Sequence, residues 1–217
     1  LFTDNENLLW IKRDGLKPVG KPEVAATDFI EAGNVEHKSN GLIHGLDNWL
    51  YNAKSGKRVR RINGKWVLEN TIFRGQWGIA KDNYGRLYHN HNSAFLFGDN
   101  VAPNLLQGNP GVTTKVAEFS PVGPNDTWPI RVTPGVNRAY ISKKNGYGSD
   151  TLDPVTHKLI KCTAAAGMTV YRGTNFPKEW ANRALVTESC VQLVKAVEIN
   201  DNGSGKLTGT HPYGKDE

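Results

Sequence analysis

The chain has 217 residues, with 27 Lys and Arg against 21 Asp and Glu, a net charge of +6 and 38% apolar residues. That length builds one large domain or two smaller ones around a real core, and 22% charged residues with 23 glycines and 11 prolines exclude a disordered chain in favour of a globular one made of short elements. No apolar run approaches the roughly 18 residues that span a bilayer, Leu1 to Trp10 lacks the basic start and apolar block of a signal peptide, and Cys162 and Cys190 lie in no C-x-x-C, which excludes a zinc ribbon or an attached c-type haem.

Apolar residues rarely recur at helical spacing, and glycine or proline interrupts most windows that could extend a helix. In chain order the strand candidates are Leu8 to Lys12, Gly41 to His44, Trp49 to Asn52, Lys65 to Leu68, Gly78 to Ala80, Leu87 to Asn90, Leu159 to Thr163, Met168 to Arg172, Ala184 to Glu188 and Gln192 to Ile199. Turn pairs such as Asn63-Gly64, Asn145-Gly146 and Asn202-Gly203 punctuate them. The basic run Lys54 to Arg61, KSGKRVRR, carries no aromatic for stacking on bases, so it reads as a solvated β-turn rather than a nucleic-acid patch. Cys162 and Cys190 either pair, if their strands are adjacent, or remain two buried thiols.

A weak internal repeat sets GLDNWLY, Gly45 to Tyr51, beside GIAKDNYGRLY, Gly78 to Tyr88. Each is a strand, an Asp-Asn turn and a second strand ending in Leu-Tyr, and the two tyrosines stand 37 residues apart (88 minus 51), near the length of one four-stranded propeller blade. A further unit follows at Lys161 to Asn200, with the turn TNFPKEW inside it. Between them, about 102–138 reads as a long loop excursion rich in Pro, Gly and Asn. The expectation is an all-β chain, one β-propeller domain or fragment over 1–217, with about three to four blades.

The stretches GNVEHKSNGLIHGLDNWLYNA, TIFRGQWGIAKDNYGRLYHNHNS, TPGVNRAYIS and AAAGMTVYRGTNFP, in that order, resemble the membrane-bound dehydrogenase β-propellers related to soluble glucose and sorbosone dehydrogenases that use pyrroloquinoline quinone (PQQ). The resemblance spans roughly Gly33 to Ile199 and implies a six-bladed propeller in the periplasm or outside the cell. It also implies a PQQ and calcium site near the axis, a sugar or polyol as substrate, and an electron-accepting cytochrome as partner. His37 stands eight residues before Gly45, where the family places its general base, and Arg74 stands four before Gly78, where it places an arginine that stabilises the reduced quinone. Gln76 and Trp77 beside Arg74, with Arg138 and Arg172 further on, are the candidates to hold the cofactor. Two departures stand out: Gly75 occupies the place of a common asparagine, and no C-x-x-C-H for a haem is present.

Each of these residues also has a plainer reading. His37 can be a loop histidine bonded to a neighbouring strand, and Arg74 a cation stacked on an aromatic ring. His89 and His91 alternate by two and share a sheet face, with no third metal ligand in view. Asp47, Asp82 and Asp126 belong first to Asx turns. Two functions follow: a quinoprotein dehydrogenase with His37 as base, or a propeller that has lost redox chemistry and binds a glycan or protein. Nucleic acid and a transmembrane segment are not expected.

Overall fold

Short strands joined by tight turns account for almost all of the regular structure. In the computed structural model, residues 1–4, 6–30, 34–106, 109, 111, 119–133 and 151–215 are described; strand content is 50%, and no α-helix occurs among them. A first sheet is formed by β1 (Phe2–Thr3), β2 (Leu8–Asp14) and β3 (Lys17–Ala26). The second contains β4 (Asn40–His44), β5 (Leu50–Ala53), β6 (Ser55–Ile62) and β7 (Lys65–Arg74). The third contains β8 (Ile79–Lys81), β9 (Leu87–His91), β10 (Ala94–Asp99) and β11 (Phe119–Pro121), and the fourth β12 (Ala165–Val170), β13 (Arg183–Glu188), β14 (Leu193–Asp201) and β15 (Leu207–Thr210). Strands follow one another across each sheet in chain order, every pairing is antiparallel, and none of the four sheets closes on itself. The all-β expectation holds at that level.

The repeat between the second and third sheets has a local physical basis. In the turn after β4, the Asp47 carboxylate accepts from Trp49 N at 3.2 Å and from the Tyr51 hydroxyl at 2.7 Å. In the turn after β8, the Asp82 carboxylate accepts from Tyr84 N at 2.9 Å, Arg86 N at 3.0 Å and the Tyr88 hydroxyl at 3.0 Å. Each aspartate thus closes its own Asx turn and ties it to the buried tyrosine on the next strand. Burial and the adjacent carboxylate push the Tyr51 phenol up to about 12 and Tyr88 in the same direction, so both stay donors.

Several sequence expectations are corrected here. The basic run is not a turn: Ser55–Ile62 is a full strand, because Val59 takes a core position while its neighbours alternate outward. The aromatic partners missing within the run come from other strands, with Arg58 and Arg60 each 4.2 Å from the Trp49 ring centroid and Arg61 4.5 Å from that of Trp10. Leu159 to Thr163 is no strand; it carries only the isolated bridges Leu152 to Leu159 and Asp126 to Lys161. Asp126 belongs to an ion pair rather than a turn, accepting from Lys161 Nζ at 2.6 Å. The excursion at 102–138 contains β11, which completes the third sheet. Cys162 and Cys190 form no disulfide with each other, and burial with the nearby Glu188 charge pushes Cys162 up to about 12.

Three apolar clusters lie between successive sheets. Leu8, Ala25, Ala26, Phe29, Ile30 and Val59 join the first to the second; Trp49, Tyr51, Ala53, Ile79 and Leu87 join the second to the third. Between the third and fourth, Ala80, Tyr88, Phe95, Leu96, Ala184, Val186, Val197 and Leu207 belong to the largest cluster. The sheets therefore form a series in which each buries its apolar face against the next.

At the first strands this spacing collapses to backbone contact. A Cβ on Gly41 of β4 would lie 3.0 Å from Gly78 Cα, and one on Gly78, just before β8, 3.3 Å from Gly167 Cα in β12. Gly41 and Gly78 hold φ of +67° and +84°, which side-chain-bearing residues rarely adopt. Replacing Gly78 by Ala should therefore cost about 1–3 kcal/mol through backbone strain and crowding together. Gly64→Ala, at φ +80° with nothing within 4 Å, tests strain alone and should lower the thermal midpoint less. Equal losses in thermal unfolding would show that the contact between first strands contributes nothing.

Candidate functional site

The loops that lead into β4 and β8 meet through their side chains. Asn34 caps a short 3-10 turn, Val35–His37, by accepting from Glu36 N at 3.0 Å, and this fixes the entry to β4. The His37 ring is half-buried, packs edge-on against Trp77 with centroids 5.3 Å apart, and sets its Nε2 3.3 Å from Gln76 Nε2. With the amide so oriented, Gln76 donates and His37 Nε2 accepts, which places the ring proton on Nδ1. The structure thus brings together three of the residues selected from the sequence: His37, Gln76 and Trp77.

What holds them is a pair of asparagines that the sequence did not single out. Asn40 Nδ2 donates to Gln76 O at 2.8 Å while its Oδ1 accepts from Gly78 N at 2.7 Å, clamping the loop before β8 from both sides. Gln76 N donates to Asn90 O at 2.9 Å, Asn90 Nδ2 donates to Gly167 O at 3.3 Å, and Gly167 N donates to Trp77 O at 2.8 Å. Backbone groups that no sheet ladder could satisfy are thereby paired across three sheets. The glycine-induced break at β4 supplies the only warning in the sequence, since Asn40 lies beside Gly41.

Arg74 is placed differently from the sequence expectation. Its guanidinium is 1% exposed between the second and third sheets, where Nε and Nη2 donate to the two Asp99 carboxylate oxygens at 3.1 and 3.2 Å. Nη1 reaches Thr71 Oγ1 and Ile72 O, each at 3.3 Å, and the Tyr51 ring centroid lies 5.7 Å from the guanidinium carbon. A fork so committed does not face a cleft. Gly75, at φ +64°, has His89 Cβ 2.9 Å and Asn90 O 3.0 Å from where its own Cβ would stand, so backbone packing excludes a side chain there. Arg172 lies exposed beyond the far end of β12, away from His37, and Arg138 lies outside the described residues.

The residues present therefore fit the implied quinone poorly: Arg74 is consumed by Asp99, the asparagine position is Gly75, and Arg172 lies away from the cluster. A cavity that shares Asn40 with this cluster measures about 140 Å³, below the roughly 300 Å³ at which ligand pockets begin. His89 and His91 do share a face, with both rings against Phe97, but among the described residues they belong to no group of three metal-binding side chains.

Two predictions follow from these burials. Arg74→Met or Asp99→Leu alone strands the other charge in the core and should cost about 3–5 kcal/mol, whereas the double substitution should cost much less than the sum. Additive losses in denaturant unfolding would refute the pair. The second concerns acid. Burial holds His89 well below 6.5, His91 below it and His211 down to about 4. As pH falls below about 6.5 the unfolded chain takes up protons that these rings refuse, so stability should drop between pH 6.5 and 4. A flat thermal midpoint across that window would contradict it.

The chain belongs to a family described as a domain of unknown function (DUF7133), whose profile spans residues 13–214. No curated protein and no solved structure matches it at a significant level.

Proposed function

We propose that the four sheets are consecutive blades of a β-propeller, and that the end carrying His37, Gln76 and Trp77 is its ligand face, binding a sugar or polyol without quinone chemistry. Supporting the architecture are the meander order within each sheet, the apolar layer between each neighbouring pair, and first strands that touch through Gly41, Gly78 and Gly167. A polar imidazole and amide beside an indole suit a ligand with hydroxyls on an apolar ring. The observation that carries the non-redox reading is Arg74, whose guanidinium is spent on Asp99 and cannot also stabilise an oxygen anion in a cleft.

A second reading, a quinoprotein dehydrogenase of a sugar or polyol, is favoured by the gathering of His37, Gln76 and Trp77 into one cluster. For His37 to take a hydroxyl proton through Nε2, Gln76 must release that nitrogen. One titration series separates the two. Calorimetry with neutral monosaccharides and polyols, without quinone, should show saturable binding that Trp77→Ala weakens by about tenfold or more. The same protein with PQQ and calcium should then give no bound-quinone spectrum and no dye reduction. Sugar-dependent dye reduction that His37→Ala abolishes would establish the dehydrogenase instead.

A further inference from the structure

A second chemical centre lies on the fourth sheet, away from the His37 cluster. β15 pairs only with Glu198 to Asp201, so the outer edge of β14 before that point is left to the tail that begins at His211. There Trp128, Trp180, Lys195, His211 and Tyr213 line a cavity of about 380 Å³, within the range of small-molecule sites. Lys195 is 8% exposed and lies opposite Val186 on β13, yet its ammonium forms no ion pair with a described residue. Its nearest partner is the face of Trp128, 4.1 Å from the ring centroid, and the closest acid, Asp126, is engaged by Lys161 at 2.6 Å.

We propose that Lys195 is a reactive amine, and that this cavity takes an aldehyde with a flat apolar body, which it holds as an imine. The step needs no further reagent. The amine nitrogen attacks the carbonyl carbon, a C=N bond forms, and the carbonyl oxygen leaves as water with the two amine hydrogens; nothing is oxidised or reduced. The geometry supplies both requirements. Indole and phenol walls accept the flat body, and the amine of a largely buried side chain with no ion-pair partner among the described residues is poorly stabilised as a cation.

The titratable groups that face the amine are Asp126, from the segment after β11, and His211, from the tail. Burial pushes Lys195 down to about 8, with Asp126 opposing the shift. His211 sits 4.9 Å from the Trp128 ring and is held neutral, down to about 4, first by burial and then by the Lys195 charge. A neutral imidazole adds no positive charge at neutral pH, so it leaves the amine free to deprotonate.

The test is reductive labelling of the full chain with pyridoxal and cyanoborohydride, followed by peptide mapping. At pH 7.5 Lys195 should be modified at least tenfold faster than the exposed Lys17, with a rate that rises through about pH 8 and then levels. Benzaldehyde should compete at Lys195 and not at Lys17. Lys195→Arg, which keeps the charge over Trp128, should remove the fast site while leaving the thermal midpoint close to that of the parent. Labelling of Lys195 no faster than Lys17, or a rate that still climbs at pH 10, overturns the proposal, and the wild-type comparison decides it even if the variant fails to fold.

Discussion

The contact on which this structure depends is one between backbones. Gly41 meets Gly78, and Gly78 meets Gly167, at separations where a methyl group would crowd the facing backbone. Sheets packed through side chains stand about 10 Å apart, so a backbone contact at one edge forces neighbouring sheets to splay outward from it. The apolar residues then fill a wedge, with small ones such as Ala53 and Ala165 beside large ones such as Tyr51, Tyr88 and Phe95. The left-handed glycines also break the first strand of a sheet, as the register shift between Asn40 and Ile43 shows. That break turns the Asn40 amide toward the next sheet and so creates the clamp around Gln76 and Gly78.

Charge is handled by the opposite strategy at two depths. Nearer the surface, Arg58, Arg60 and Arg61 set their guanidinium heads over the rings of Trp49 and Trp10. In the core, Arg74 is 1% exposed and each of its three nitrogens donates to Asp99, Thr71 or a backbone carbonyl. Such a pair adds little net stability over apolar residues of the same size, but it admits one geometry for the second sheet against the third. Arg74 acts as a spacer between sheets, and the quinone role that its position in the sequence suggested requires the same atoms.

The fold class was legible because period-two patterning and turn pairs are local properties. The Asp-Asn turns were readable for the same reason, since Asp47 and Asp82 bond to groups within a few residues. What was not legible is what depends on other strands. Nothing within KSGKRVRR reveals that tryptophans 9 and more residues away (58 minus 49) will cover its arginines, so a strand read as a turn. The same limit applies to Arg74, whose partner Asp99 lies 25 residues on. His37, Gln76 and Trp77 come together because all three belong to the loops entering β4 and β8. Spacing could not show which way Arg74 turns.

These two kinds of placement also explain why the chemistry divides between a first-strand end and an outer edge. At the first strands, close backbone contact leaves little volume, so the polar groups there are mostly spent on holding one sheet to the next, beside the contact cluster of His37, Gln76 and Trp77. On the fourth sheet β15 pairs with only part of β14, and unfilled volume remains beside a strand that was patterned to be buried. Lys195 sits at that mismatch: it shares a face of β14 with Leu193 and Val197, which pack into the core, yet what covers it is Trp128 and a short tail rather than another strand. A side chain there is largely buried without an ion-pair partner among the described residues, and that condition favours the neutral, reactive amine.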